Sequence, residues 1–130
     1  MTGADSAEVR NEMERARKSL AAARKLKAEG LLEDALSRSY YAILHAARAL
    51  LLAHGVEVKS HEAVKRMFGI TLVQSRKVDP IFARILREGQ DDRLLADYDV
   101  AFSPEVERVE TRIQEAELFM KEADRLLAAT

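Results

Sequence analysis

The chain has 130 residues, 48% hydrophobic and 33% charged, which is typical of one folded domain with a substantial core. The absence of cysteine excludes disulfides, zinc–thiolate sites and cysteine nucleophiles, and it favours a reducing cytoplasm as the location. The formal net charge of −1 excludes a global positive field, so any RNA contact needs a local patch. The longest apolar run, Ala49–Ala53, is too short to span a bilayer, and residues 1–18 contain no apolar signal core. We therefore expect no membrane association.

Two long helices are predicted in the first half of the chain. Apolar residues recur at alternating steps of four and three through Ser6–Glu29, and Gly30 ends this amphipathic helix. A second helix follows at once over Leu31–His54 and ends at Gly55. So short a turn predicts an antiparallel helical hairpin.

Three further helices are predicted in the second half. Ser60 is placed to cap a short helix over His61–Phe68, after which Gly69 follows. Asp79 and the proline after it start a fourth helix, and the polar stretch 89–92 leaves its continuation to Tyr98 open. Ser103 and its following proline start the last helix. Its apolar residues repeat at steps of three and four, at Val106, Val109, Ile113, Ala116, Met120, Ala123 and Leu127.

No segment alternates like a strand, so the predicted fold is all-α. We expect residues 1–130 to form one antiparallel up-and-down bundle of four long helices plus a short one. The second helix is apolar around most of its circumference, and Leu118 widens the apolar arc of the last helix. These two features predict a homodimer.

A stripe of four side chains crosses the second helix. Arg38, Tyr41, His45 and Arg48 recur at steps of three, four and three, which places them on one helical face. An arginine beside an apolar helix needs a partner or a wet groove, because burying an unpaired charge is costly. The stripe is therefore either a paired structural network or a binding site.

The residues around this stripe resemble the second-helix signature of prokaryotic HEPN domains, whose name stands for higher eukaryote and prokaryote nucleotide-binding. Gly55 before His61 is similar to the family's segment ahead of its short helix. The signature matches are Ala35, Arg38, Tyr40, Tyr41, Ala42, His45, Ala46, Ala47, Arg48, Ala49, Leu50 and Leu51. The last match is the R-x-x-ADYD segment of Arg93, Ala96, Asp97, Tyr98 and Asp99.

The resemblance implies a helical bundle that commonly dimerises and is often encoded beside a small nucleotidyltransferase as a toxin–antitoxin pair. Many members are metal-independent ribonucleases with an Arg-x(4–6)-His motif at a dimer cleft, and Arg38 and His45 have that spacing. Ser39 departs from the Asn, Asp or His that often follows the arginine in the ribonuclease branches.

Each candidate residue also has a structural interpretation. Arg38 is placed to pair with Asp34 or Asp97, and Tyr41 to pack in the core. His45 fits a packed interface, and His61 fits an ordinary position in the first turn of a helix.

Our leading hypothesis is a module that binds a separately encoded nucleotidyltransferase and, in one groove, nucleotide or RNA. The binding residues are then Arg38, Tyr41, His45, Arg48 and His61. The alternatives are a metal-independent endoribonuclease toxin using Arg38 and His45, and a purely structural helical adaptor. No metal or cofactor site is predicted.

Overall fold

Five helices make up the part of the chain that the structure, a computed structural model, describes, which is residues 6–129. They are α1 (Ala7–Ala28), α2 (Leu32–Ala53), α3 (His61–Phe68), α4 (Ile81–Tyr98) and α5 (Val106–Ala128). Between residues 6 and 129 there is no strand. The predicted all-α bundle of four long helices and a short one is confirmed.

Helices α1 and α2 form the predicted hairpin. The Ser6 hydroxyl accepts a hydrogen bond from the Val9 N–H at 3.1 Å and caps the start of α1. Gly30 has a φ of 79° in the turn, a left-handed conformation that favours glycine. The observed helix limits lie within two residues of the predicted ones, because local caps determine them.

Helix α2 is the centre of the bundle and packs against the other four helices. Buried residues lie all around it: Ala35, Leu36, Ser39, Tyr40, Ala42, Ile43, Leu44, Ala46, Ala47, Ala49, Leu50 and Leu51. One chain thus covers the apolar circumference of α2 by itself. The apolar circumference of α2 is therefore no evidence for a homodimer, which stays a prediction.

The apolar residues that recur at steps of three and four along α1 and α5 are largely buried. Ion pairs join the two helices along the surface. Arg17 lies 3.7 Å from Asp124, Arg24 pairs with Glu117, and Lys27 pairs with Glu110. The first and last residues of the apolar set predicted on α5 are less buried than the rest. Val106 is 51% exposed, and Leu127 is half-buried. Leu118 is 46% exposed and remains available to a partner.

The end of α3 and the start of α5 differ from the prediction, and the structure settles the length of α4. Helix α3 continues beyond Gly69 as a π-helical turn, Gly69–Val73. Helix α4 runs without interruption to Tyr98, and Gly89 is buried within it against α2. A Cβ at Gly89 would lie 3.4 Å from the Tyr40 ring. Helix α5 begins at Val106 rather than at Ser103, since the backbone before Val106 is extended and only the carbonyl of residue 105 accepts the first helical hydrogen bonds.

Candidate functional site

The four residues of the α2 stripe do not share one site, although they share one helical face. Arg38 and Tyr41 line a groove between α2 and the ends of α1 and α4. His45 contacts α1, and Arg48 contacts the segment that leads into α3. The structure therefore brings Arg38 together with Tyr41, but it does not bring Arg38 and His45 into one groove of a single chain.

The groove beside Arg38 has a volume of about 440 Å³. Its lining is Leu26, Asp34, Ser37, Arg38, Tyr41 and Asp97. Arg38 is exposed, and its guanidinium forms no hydrogen bond or ion pair with any residue between 6 and 129. The predicted structural pairing of Arg38 with Asp34 or Asp97 is therefore wrong.

Asp97 pairs with a different arginine, Arg93. The Arg93 Nη1 lies 3.0 Å from Asp97 Oδ2, and the Ser37 hydroxyl donates to Asp97 Oδ1 at 2.8 Å. The Arg93 side chain is 11% exposed, and its guanidinium carbon lies 5.6 Å and 5.8 Å from the ring centres of Tyr40 and Tyr41. Arg93 and Ser37 therefore take the Asp97 carboxylate that the sequence offered to Arg38.

The two neighbouring tyrosines have different surroundings. Tyr40 is fully buried, its hydroxyl lies 2.9 Å from His61 Nδ1, and its ring stacks on the imidazole at 5.6 Å. Burial raises the pKa of Tyr40, so this hydroxyl keeps its proton. Tyr41 is half-buried and lies in the groove wall, with its ring edge toward His61 at 6.4 Å. Tyr40 is thus a core residue, whereas Tyr41 packs against the core and also forms part of the groove wall.

His61 lies behind Tyr41 rather than in the groove lining. Burial lowers its pKa below the usual 6.5, and the positive charges of Arg93 and Arg48 lower it further. The imidazole is therefore neutral near pH 7.

His45 and Arg48 lie toward the other end of α2. His45 Nδ1 is 2.7 Å from Glu12 Oε1, and the imidazole side chain is 17% exposed. Arg48 donates to the Lys59 carbonyl, and its buried Nε has no partner within the described chain. Arg48 and Glu12 also belong to the wall of a second pocket of about 410 Å³.

Periodicity in the sequence did not identify the charge network around Asp92, which joins α4 to α5. Asp92 is buried and accepts hydrogen bonds from Arg108 at 2.5 Å and 3.1 Å and from Arg112 at 2.7 Å. Burial alone would raise the pKa of Asp92, but these two arginines outweigh it and hold the pKa below the usual range. The only sign of this network in the sequence is that Arg108 and Arg112 lie four residues apart on α5. That spacing is equally typical of a helix face exposed to solvent.

The chemistry of the groove follows from its free groups. The Arg38 guanidinium offers a planar fork to a phosphate, and the Tyr41 ring offers a surface for a base. Among residues 6–129, no group of three or more histidine, aspartate or glutamate side chains is arranged to hold a metal ion. Across the same residues, no helix is long and apolar enough to cross a membrane.

Comparison with known proteins places the whole bundle in one family. The model of the HEPN domain matches residues 9–126. The chain is 38% identical over 113 residues to a protein of Methanocaldococcus jannaschii named as a candidate toxin, covering 87% of this chain and 84% of that protein. A second candidate toxin of that organism is 28% identical over 115 residues, covering 88% and 78%. A UPF0332 protein of Gloeobacter violaceus is 41% identical over 91 residues, covering 70% and 72%. Because the family model spans all five helices, the resemblance seen in the α2 signature is confirmed, and the chain belongs to the HEPN domain family.

Proposed function

We propose that this chain is a HEPN module of the toxin–antitoxin type that binds nucleotide or RNA through the Arg38 groove. The observation that carries the proposal is the free guanidinium of Arg38 beside the Tyr41 ring. Two relatives named as candidate toxins support the toxin–antitoxin class. The absence of cysteine favours action in the cytoplasm.

The direct test is binding of a fluorescein-labelled RNA oligonucleotide, measured by fluorescence anisotropy. Arg38→Ala should weaken binding at least tenfold, and Arg38→Lys should fail as well, because a point charge does not replace a bidentate fork. Arg87→Ala is the matched control, since Arg87 is exposed, has no partner within residues 6–129 and lies outside the groove. Equal loss in Arg38→Ala and Arg87→Ala would mean that the contact is only a general charge effect.

We propose two protein partners, a second copy of this chain and a separately encoded nucleotidyltransferase. The surface that supports a protein contact is an exposed apolar patch on α4, formed by Leu94, Leu95 and Tyr98, which are 40%, 37% and 75% exposed. Co-expression with a nucleotidyltransferase encoded beside this gene should yield one complex in size-exclusion chromatography. Separate elution of the two proteins would remove the nucleotidyltransferase from the proposal.

The second candidate function is a metal-independent endoribonuclease that uses Arg38 and His45. The free guanidinium of Arg38 favours it, since RNA cleavage needs a cation at the reacting phosphate. Arg38 and His45 lie about 10.5 Å apart along the axis of α2, so an active pair would require His45 from a second copy.

The assay for this candidate is cleavage of RNA in EDTA by nuclease-free protein. Wild-type cleavage that is lost in Arg38→Ala and His45→Ala would support the ribonuclease. If the wild-type protein leaves the RNA intact, the ribonuclease function is refuted and only the binding function remains. Circular dichroism should show that both variants remain folded.

A further inference from the structure

The free charges in the Arg38 groove are one cation and one carboxylate. Asp97 is neutralised by Arg93 at 3.0 Å and accepts a hydrogen bond from Ser37. Asp34 is exposed, and its carboxylate has no partner within residues 6–129. A groove that only attracted anions would not keep an unpaired carboxylate next to its only free guanidinium.

Asp34, Arg38 and Tyr41 follow one another along the same face of α2. Steps of four and three residues separate them by about 6 Å and about 4.5 Å along the helix axis. The groove therefore presents a carboxylate, a guanidinium and an aromatic ring in that order. Each of these groups recognises a different part of a nucleic acid strand.

One step of an RNA strand has the matching order of a ribose, a phosphodiester and the base of the adjoining nucleotide. The phosphodiester carries one negative charge, which a single guanidinium can neutralise. The adjoining base can stack on Tyr41. In this arrangement the ribose on the other side of the phosphate lies beside Asp34. A triphosphate fits less well, because its additional charges would meet Asp34 without a further free cation.

We infer that Asp34 selects RNA over DNA by accepting a hydrogen bond from a ribose 2′-hydroxyl. An ionised carboxylate only accepts hydrogen bonds, and the 2′-hydroxyl is the donor that RNA has and DNA lacks. The inference rests on the proposed function, since it assigns a second residue to the same groove. Asp34 also disfavours DNA, because a strand without the hydroxyl leaves the carboxylate unpaired near a phosphate.

The test compares the RNA dinucleotide ApA with its deoxy counterpart d(ApA) by isothermal titration calorimetry. Wild-type protein should bind ApA about tenfold more tightly, which corresponds to about 1.4 kcal/mol. Asp34→Ala should bind both dinucleotides equally, with the affinity for d(ApA) unchanged or raised. Because Asp34 is exposed and unpaired, the variant should lose only the small contribution of a carboxylate in the first turn of α2 and remain folded in a thermal melt.

Glu33→Ala is the matched control, since Glu33 is an exposed neighbour that lies outside the groove lining. This variant should keep the tenfold preference for ApA. Equal binding of ApA and d(ApA) by wild-type protein, or a preference that survives in Asp34→Ala, would overturn the assignment of Asp34. Those results would leave the proposed function standing, whereas failure of wild-type protein to bind either dinucleotide would overturn both.

Discussion

Replacement of Asp92 should weaken the contact between α4 and α5 most clearly. Its side chain is 4% exposed and accepts three hydrogen bonds from two arginines of α5. Replacing Asp92 with alanine removes the carboxylate that accepts these bonds, so both guanidinium groups lose this partner. Arg112 is 15% exposed and retains Glu115 at 2.8 Å, whereas Arg108 is 44% exposed and can turn to water.

The expected loss of stability follows from these exposures. A hydrogen bond to a charged group contributes about 1.5–3 kcal/mol, so the bond from the poorly exposed Arg112 accounts for about 2 kcal/mol. The two bonds from Arg108 contribute about 1 kcal/mol together, because water replaces them at an exposed position. The total is about 3 kcal/mol. An unfolding entropy of about 2.1 cal/mol/K per residue over 130 residues converts this total into a fall in Tm of about 11 °C.

Differential scanning calorimetry at pH 7 measures this loss, and Asp91→Ala supplies the control. Asp91 is the exposed neighbour without a partner within residues 6–129, so its replacement should change Tm by less than about 2 °C. The folded-state pKa of Asp92 is lowered from 3.8, so its contribution is present above that pH and is lost as the pH falls through the lower folded-state value. The difference between wild type and Asp92→Ala should therefore persist at pH 5–8 and shrink below about pH 4. Equal melting temperatures for Asp92→Ala and Asp91→Ala would refute the reasoning.

Three further predictions concern the groove, its histidine and the assembly. Arg38→Ala should change Tm by less than about 2 °C, because Arg38 is exposed and unpaired within the described chain; a fall near 10 °C would make it a structural residue. Because the folded-state pKa of His61 is below 6.5, the unfolded state binds the proton first. Wild-type stability should therefore fall as the pH drops from about 7 to about 5, and a matching slope in His61→Gln would contradict this. Light scattering at micromolar concentration should report about 29 kDa, twice the 14.6 kDa chain, and Leu94→Asp should return the mass to one chain. A wild-type monomer would refute the homodimer.

The sequence by itself placed all five helices, and local interactions fixed the limits of α1, α2 and α3 to within two residues. Apolar residues at steps of three and four placed α1 and α5, Gly30 and Gly55 bounded α2, and Ser60 marked a helix start that the structure confirms. The family signature in α2 also came from a short stretch of residues. Local reasoning failed at the start of α5, which lies at Val106 rather than at Ser103, and it left the continuation of α4 past Gly89 open.

Only the tertiary structure decided which charged groups are free. Helical periodicity placed Arg38, Tyr41, His45 and Arg48 on one face, but which of them meets a partner depends on the elements that pack beside α2. The hydrogen bond from Ser37 to Asp97 spans 60 positions, and the contact between His45 and Glu12 spans 33. Long polar side chains reach across a bundle to whichever element packs beside them, and the spacing along one helix carries no information about that choice. Arg93 pairs with Asp97 four residues along the same helix, and Arg38 is left facing an open groove.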